Sequence, residues 1–258
     1  MIRELDFKIK EFQNLKKAPK KIYYKGDLEL LNRPKVSIVG SRRPIQYTQS
    51  LVKELSLKLA KRGVVVVSGA AMGVDALAHI GAGASNTIAV MANGLDIKYP
   101  AVNASIIESI EKEGLVLSQF EEGKKATKWS FVVRNELVVV LGEVLIVAQA
   151  DLDSGSMRSV EFALKQKKKI FVFPHRIGDS QGTNQLLKDG LAEAIYSIDE
   201  FVNRYGKELN ESPKDEFLLF CQNKPTFEEA IKRFGDRVYE AELEGVIEIM
   251  NGFVEVKM

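Results

Sequence analysis

Val36-Ser37-Ile38-Val39-Gly40-Ser41-Arg42-Arg43 decides how this chain is read. An apolar run of buried-strand character ends in a small-residue loop that carries two arginines. The pattern returns at Val64-Val65-Val66-Val67, followed by Ser68-Gly69-Ala70-Ala71-Met72-Gly73-Val74-Asp75. Glycine lets backbone N–H groups come close to a ligand, and a helix N-terminus favours negative charge. Two such loops in one parallel sheet make a floor suited to phosphates. Arg42 and Arg43 exceed what a neutral cofactor needs, so a phosphate-rich ligand, nucleic acid first, is expected. The same glycines also suit close helix–sheet packing, and the loop residues alone leave the two readings even.

Working outward, apolar strand-like runs alternate with helical patterns from 36 to about 204. Strands are expected at 36–39, 64–67, 87–91, 115–118, 143–149 and 170–173. Helices are expected near 48–62, 74–82, 102–112, 131–141, 156–167 and 182–190. Near-continuous runs such as Val144-Leu145-Ile146-Val147 imply burial on both faces. Such alternation implies an α/β fold, a doubly wound and mostly parallel sheet with right-handed crossovers. Residues 1–35 read as a basic lead-in, 36–205 as the main domain and 206–213 as a polar linker. Residues 214–258 change rhythm, with helices near 215–222, 226–233 and 236–244. Two alternating runs, 246–249 and 253–256, then flank Asn251-Gly252, a strong hairpin signal. Three helices and a hairpin describe a small winged helix.

Bulk properties narrow the classes. The 258 residues suit one large domain, or a medium one with a small appendage. Net charge is only +2, but it is uneven: ten Lys/Arg against five Asp/Glu in 1–35, and six against eleven in 211–258. A polyanion site is therefore expected in the front and middle. A single cysteine, Cys221, excludes an internal disulfide and fits a reducing cytoplasm. One cysteine with His79 and His175 cannot supply the usual metal sets, so neither metal nor cofactor is expected. The start, Met1-Ile2-Arg3-Glu4-Leu5-Asp6, lacks a signal-peptide pattern, and no apolar run approaches membrane-spanning length. A cytoplasmic protein without a membrane partner is expected.

Neither G-x-G-x-x-G nor the P-loop pattern occurs, which argues against dinucleotide redox chemistry and ATP hydrolysis. Lys124-Lys125-Ala126-Thr127-Lys128-Trp129-Ser130-Phe131-Val132-Val133-Arg134-Asn135 interleaves cations with aromatics. Cations track a phosphate backbone while rings stack on unpaired bases. A solvated lysine loop before a helix that buries Phe131 is the plainer reading. It leaves unexplained why Lys128, Phe131 and Arg134 share roughly one helical face. Ser154-Gly155-Ser156 again follows a strand, and capping is the expected role of its serines. Asn184 reads as a turn or cap residue. His79, on an apolar helix, is expected to be a satisfied core histidine, Asp75 to answer a helix dipole, and Cys221 to lie in a core. No nucleophile–base or carboxylate pair stands out, so no catalytic residue is assigned.

In this order, the motifs resemble the DNA-processing protein A family (DprA, also called Smf). They are Val39-Gly40-Ser41-Arg42, Ser68-Gly69-x-Ala71-x-Gly73-x-Asp75 with His79, Asn93-Gly94-Leu95-Asp96 with Tyr99-Pro100, Phe131-x-x-Arg134-Asn135, Ser154-Gly155-Ser156, and Gly182-x-Asn184-x-Leu186-Leu187. Met72 stands where the family usually carries arginine. The resemblance implies a Rossmann-like domain that binds single-stranded DNA, acts as a homodimer, protects incoming DNA in natural transformation and loads the recombinase RecA. It places side-chain contacts on Ser41, Arg42, Lys128, Phe131, Arg134 and Asn135, and backbone contacts on Gly40, Ser68 and Gly69. Arg43 joins them on charge. A binding protein and not an enzyme is expected. The acidic tail, with Asp236-Arg237-Val238-Tyr239-Glu240-Ala241-Glu242-Leu243-Glu244 as its recognition-helix candidate, would be repelled by phosphates, so it is expected to contact protein or to pack on its neighbour and not to bind duplex DNA. The alternative is a Rossmann-like enzyme that cleaves nucleotide N-glycosidic bonds, with Glu161 after the Ser154-Gly155-Ser156 loop.

Overall fold

The valine-rich runs become neighbouring strands. The computed structural model describes residues 1–13, 15–207 and 216–256. The chain opens with β1 (Arg3–Glu4), β2 (Tyr23–Gly26), β3 (Lys35–Val39) and α1 (Gln46–Lys61). β4 (Val65–Ser68), α2 (Val74–Ala82), β5 (Thr87–Met91), α3 (Ala104–Glu113) and β6 (Leu115–Ser118) follow. Then come α4 (Lys128–Leu141), β7 (Leu145–Val147), α5 (Gly155–Lys165) and β8 (Ile170–Val172). α6 (Gln181–Lys188), β9 (Glu193–Ala194) and α7 (Ile198–Val202) close the first of two compact units, Met1–Lys207.

Nine strands form one sheet in the order β1-β2-β6-β5-β4-β3-β7-β8-β9. From β6 to β9 all neighbours are parallel, whereas β1 and β2 add an antiparallel edge. This is the mostly parallel α/β sheet expected. Period-2 alternation sorts the side chains. Val65 and Val67 join Leu137, Val138 and Leu141 of α4, while Val64 and Val66 join Val52, Leu55 and Leu59 of α1. Helices thus cover both faces, which is why the strands read as unbroken apolar runs. The chain winds from β3 through β4 and β5 to β6, then crosses by α4 to β7 on the other side of β3. Strand order reverses between β3 and β7, the place where open α/β sheets bind ligands.

Two sequence expectations change here. The lead-in 1–35 is not a separate appendage. β2 pairs with β6, and Ile9, Phe12, Leu15, Ile22 and Leu30 enter the same core as α4. Lys35 is fixed by Glu11 at 2.8 Å, so part of the front's positive charge is spent internally. The polar linker expected at 206–213 falls, from residue 208 on, outside the described residues. No helix among the described residues is long and apolar enough to cross a membrane.

In the second unit, Glu208–Met258, three helices precede a hairpin: α8 (Glu216–Gln222), α9 (Phe227–Phe234), α10 (Arg237–Leu243), β10 (Ile247–Met250) and β11 (Phe253–Val256). Asn251 and Gly252 both have positive φ, 53° and 82°, as a two-residue hairpin turn requires. Thr226 and Glu229 form a reciprocal cap on α9. Phe217, Cys221, Ala230, Val238, Ile247 and Val254 make its core, so Cys221 is a core residue.

Candidate nucleic-acid interface

The loop after β3 is pinned from two sides. Ser41 donates its N–H to Gln149 O beyond β7 (2.8 Å), and its carbonyl accepts from Val74 N–H (3.0 Å). Gln149 Oε1 also accepts from Ile45 N–H at 3.0 Å. These bonds hold the turn, while Arg42 and Arg43 stay exposed. Gly73 (φ 77°) makes the close approach possible, because a Cβ there would strike Ser41 O.

The loop after β4 is closed by its own chain. Asp75 accepts N–H bonds from Gly69 (3.2 Å) and Ala71 (3.4 Å) on one carboxylate oxygen. Arg134 donates to the carbonyls of Gly69 and Val90, and only 4% of it is exposed. A Cβ on Gly69 would overlap the Arg134 guanidinium, so glycine is required there. Burial pushes the Asp75 carboxyl above its usual range, while the Arg134 charge and the two N–H bonds pull it back. Three of the expected contact residues are engaged within the chain. The Gly69 N–H is committed to Asp75. Ser68 is fully buried and donates its hydroxyl to Ile38 O (2.7 Å). Arg134 is a positioning residue that ties α4 to the loop, and its cation is spent on carbonyls.

Under the same helix, His79 Nδ1 lies 2.6 Å from Thr87 Oγ1. Thr87 gives its single hydroxyl proton to Val66 O (2.7 Å), so His79 must carry the proton on Nδ1. Burial, aided by the Arg134 charge, lowers the His79 pKa to about 3. His79 is a neutral core histidine, though its Nε2 lacks a partner, so it is only half satisfied.

Between these loops and α4 lies a cleft of about 510 Å³. Gly40, Ser41, Arg42, Lys128, Phe131, Arg134 and Asn135 all line it; Arg43, Ser68 and Gly69 do not. α4 starts at Lys128, three residues before the expected start, because Thr127 and Ser130 form a reciprocal cap. The Phe131 ring sits under the Arg42 guanidinium (5.6 Å to the centroid) and beside Tyr99 (5.9 Å between centroids). Arg42 and Phe131 also border a smaller pocket with Gly69, Met72, Asn93 and Tyr99. Trp129, 62% exposed, points off this face and packs edge-on against Phe120. A two-residue step around the helix separates it from Phe131.

The opposite wall of the cleft is the start of α5, with Ser154, Gly155, Ser156, Arg158 and Ser159. Sequence reading assigned Ser154 as a cap. It holds the N-cap position, yet its hydroxyl makes no cap bond. Arg158 and Ser159 were missed, because a serine inside an apolar helix pattern carries no local signal. Glu161, the carboxylate of the glycosidic alternative, is exposed, bonds Arg158 (3.0 Å) and lies outside the cleft lining. Among the described residues, no three His, Cys, Asp or Glu side chains gather as a metal-holding group.

With this geometry in hand, a family model described as DNA recombination-mediator protein A matches residues 6–206. The chain belongs to that family. It is 37% identical over 177 residues to the DNA processing protein DprA of Streptococcus pneumoniae, covering 67% of this chain and 62% of that protein. The Bacillus subtilis DprA is 33% identical over 187 residues, covering 70% of this chain and 63% of the relative. The chain therefore spans about three-fifths of the length of these two relatives. Two solved DprA structures superpose on it. That of Helicobacter pylori, which concerns that protein's single-stranded DNA binding mode, gives a TM-score of 0.77 at 44% identity and covers 79% of this chain and 94% of that one. That of Streptococcus pneumoniae gives 0.71 at 34% identity, covering 76% and 70%. The recombination-mediator match covers both walls of the cleft and ends at residue 206, before the second unit's helices.

Proposed function

We propose that this chain binds single-stranded DNA in the cleft at the strand-order reversal and serves as a recombination mediator. One observation carries the reading: an aromatic ring, Phe131, lies beneath an exposed arginine, Arg42, on the wall of that cleft. Lys128 and Arg42 attract the phosphate backbone, and Arg43 adds charge at the rim. Phe131 offers a face to an unpaired base, worth about 1–3 kcal/mol per stack. Ser41 and Asn135 supply neutral hydrogen bonds. Sequence preference is weak, since phosphate contacts and stacking do not read base edges.

The role is binding rather than catalysis: the buried carboxylate by the cleft, Asp75, is occupied by two backbone N–H groups. In the cell the protein would act in the cytoplasm as a homodimer, shield incoming DNA during natural transformation and load the recombinase RecA. The winged-helix-like second unit would contact protein, because α10 carries Glu240 and Glu242 and exposes Tyr239 and Leu243. Fluorescence anisotropy of labelled single-stranded and duplex DNA, titrated with salt, tests the interface. Preference for the single strand that falls in Lys128→Ala with Phe131→Ala supports it; equal binding to duplex, or none, overturns it.

A further inference from the structure

We infer that the start of α5 is a second phosphate subsite, facing the Ser41–Arg42 loop across the cleft; this rests on the single-strand reading. α5 runs for 11 residues, and its N-cap residue, Ser154, leaves the first-turn N–H groups without a side-chain cap. Ser159, only 1% exposed, lines the cleft with a hydroxyl that has no hydrogen-bond partner. A buried hydroxyl left unpaired costs free energy, so a hydroxyl aimed into a cleft calls for a ligand atom. Ser154 Oγ is likewise buried and unpartnered. Residues one turn apart share a helix face, so Ser159 lies beneath Gly155, where a Cβ would meet nothing within 4 Å. Ser159 thus lines the cleft one turn along the helix from the Gly155 and Ser156 N–H groups.

Hydroxyls and N–H groups at a positive helix end fit an anion with several acceptor oxygens, which is a phosphate. Nearby charge is mixed, with exposed Asp151 and Asp153 in the preceding loop and Arg158 on the lining. The subsite therefore works through neutral donors, whereas the Arg42 side works through charge. A strand crossing the cleft would set one phosphate against Arg42 and another against α5.

Ser159→Ala removes a hydroxyl without orphaning a partner, so its melting temperature should not fall below the wild type's. Its Kd for an oligothymidylate should rise about three- to tenfold. The salt slope should stay unchanged, because a neutral donor releases no counterions. Gly155→Pro is an independent variant. Proline suits the first helical position, Ser154 already has the extended backbone proline demands (φ −75°, ψ 153°), and only an N–H is lost. Ser56→Ala, another buried serine without a partner but packed away from the cleft, should not lower melting and should leave binding unchanged. Thymidine 5′-monophosphate is the second probe. If Ser159→Ala weakens it as it weakens the oligonucleotide, the subsite takes any phosphate ester. If only the oligonucleotide weakens, the subsite takes the strand's diester. Wild-type affinity in both Ser159→Ala and Gly155→Pro overturns the subsite and leaves the interface intact. A wild type that binds no strand overturns the interface. In that case monophosphate binding that falls in Ser159→Ala keeps the subsite, and none removes it.

Discussion

The loops after β3 and β4 have the same sequence grammar and opposite fates. Each follows a buried strand, holds glycine and opens a helix. The first turns its arginines outward, with its backbone held by Gln149 and Val74. The second folds the Asp75 carboxylate back on its own N–H groups and takes Arg134 on its carbonyl. A glycine-rich strand end is therefore a place for an anion, and the chain itself decides whether that anion is a ligand or its own carboxylate. In the reading proposed here one loop receives and the other braces it, since Arg134 also lies 5.7 Å from the Phe131 ring centroid.

Acid should break the closed loop first. An imidazole held neutral in the fold charges freely once unfolded. Below about pH 6.5 the unfolded chain then binds the extra proton. The His79 contribution is complete above that pH and declines as pH falls toward its folded value of about 3, by about 5 kcal/mol over the full span. Urea unfolding between pH 7 and pH 4 should show the decline, with a shallower pH slope in His79→Asn. An unchanged slope would remove His79 from the account.

Gly69→Ala should come next. Displacing Arg134 strips a buried cation of its carbonyl partners, at about 3–4 kcal/mol, and should lower the urea midpoint together with DNA affinity. The corresponding test of the open loop is milder. Phe131→Ala should weaken single-strand binding by about 1–3 kcal/mol with little change in melting, read by anisotropy and calorimetry. Arg42→Ala should have the smallest effect on the fold, under about 0.5 kcal/mol for a surface change. Yet it should flatten the salt dependence of binding by roughly 0.7 per lost phosphate contact. If Arg42→Ala unfolded the protein and Gly69→Ala did not, the contrast between the two loops would be reversed.

Much of the fold was legible before any coordinates. Alternating strand and helix patterns located six of the parallel strands and the helices between them, because a strand buried on both faces must be apolar throughout. The Asn251-Gly252 turn was legible because few residue pairs tolerate two positive φ values. Edge strands β1 and β9, two residues each, and the five-residue α7 were not, since such short pieces carry no period. Part of the site was legible too. Arg42, Lys128 and Phe131 stood out through the family resemblance, since on composition and periodicity alone the structural readings were as good or plainer, and all three line the cleft.

By itself, then, the sequence determined the parallel α/β sheet and marked most of the cations and aromatics proposed to meet DNA. Only the tertiary structure decided the reversal of strand order between β3 and β7 and which of those residues are engaged within the chain. Arg134 and Gly69 are 65 positions apart in the chain, and the bond between them is what turns one loop inward. Local patterns report whether a side chain is buried within its own element. Which group satisfies it depends on neighbours brought together by folding, and that assignment separates a ligand site from a brace.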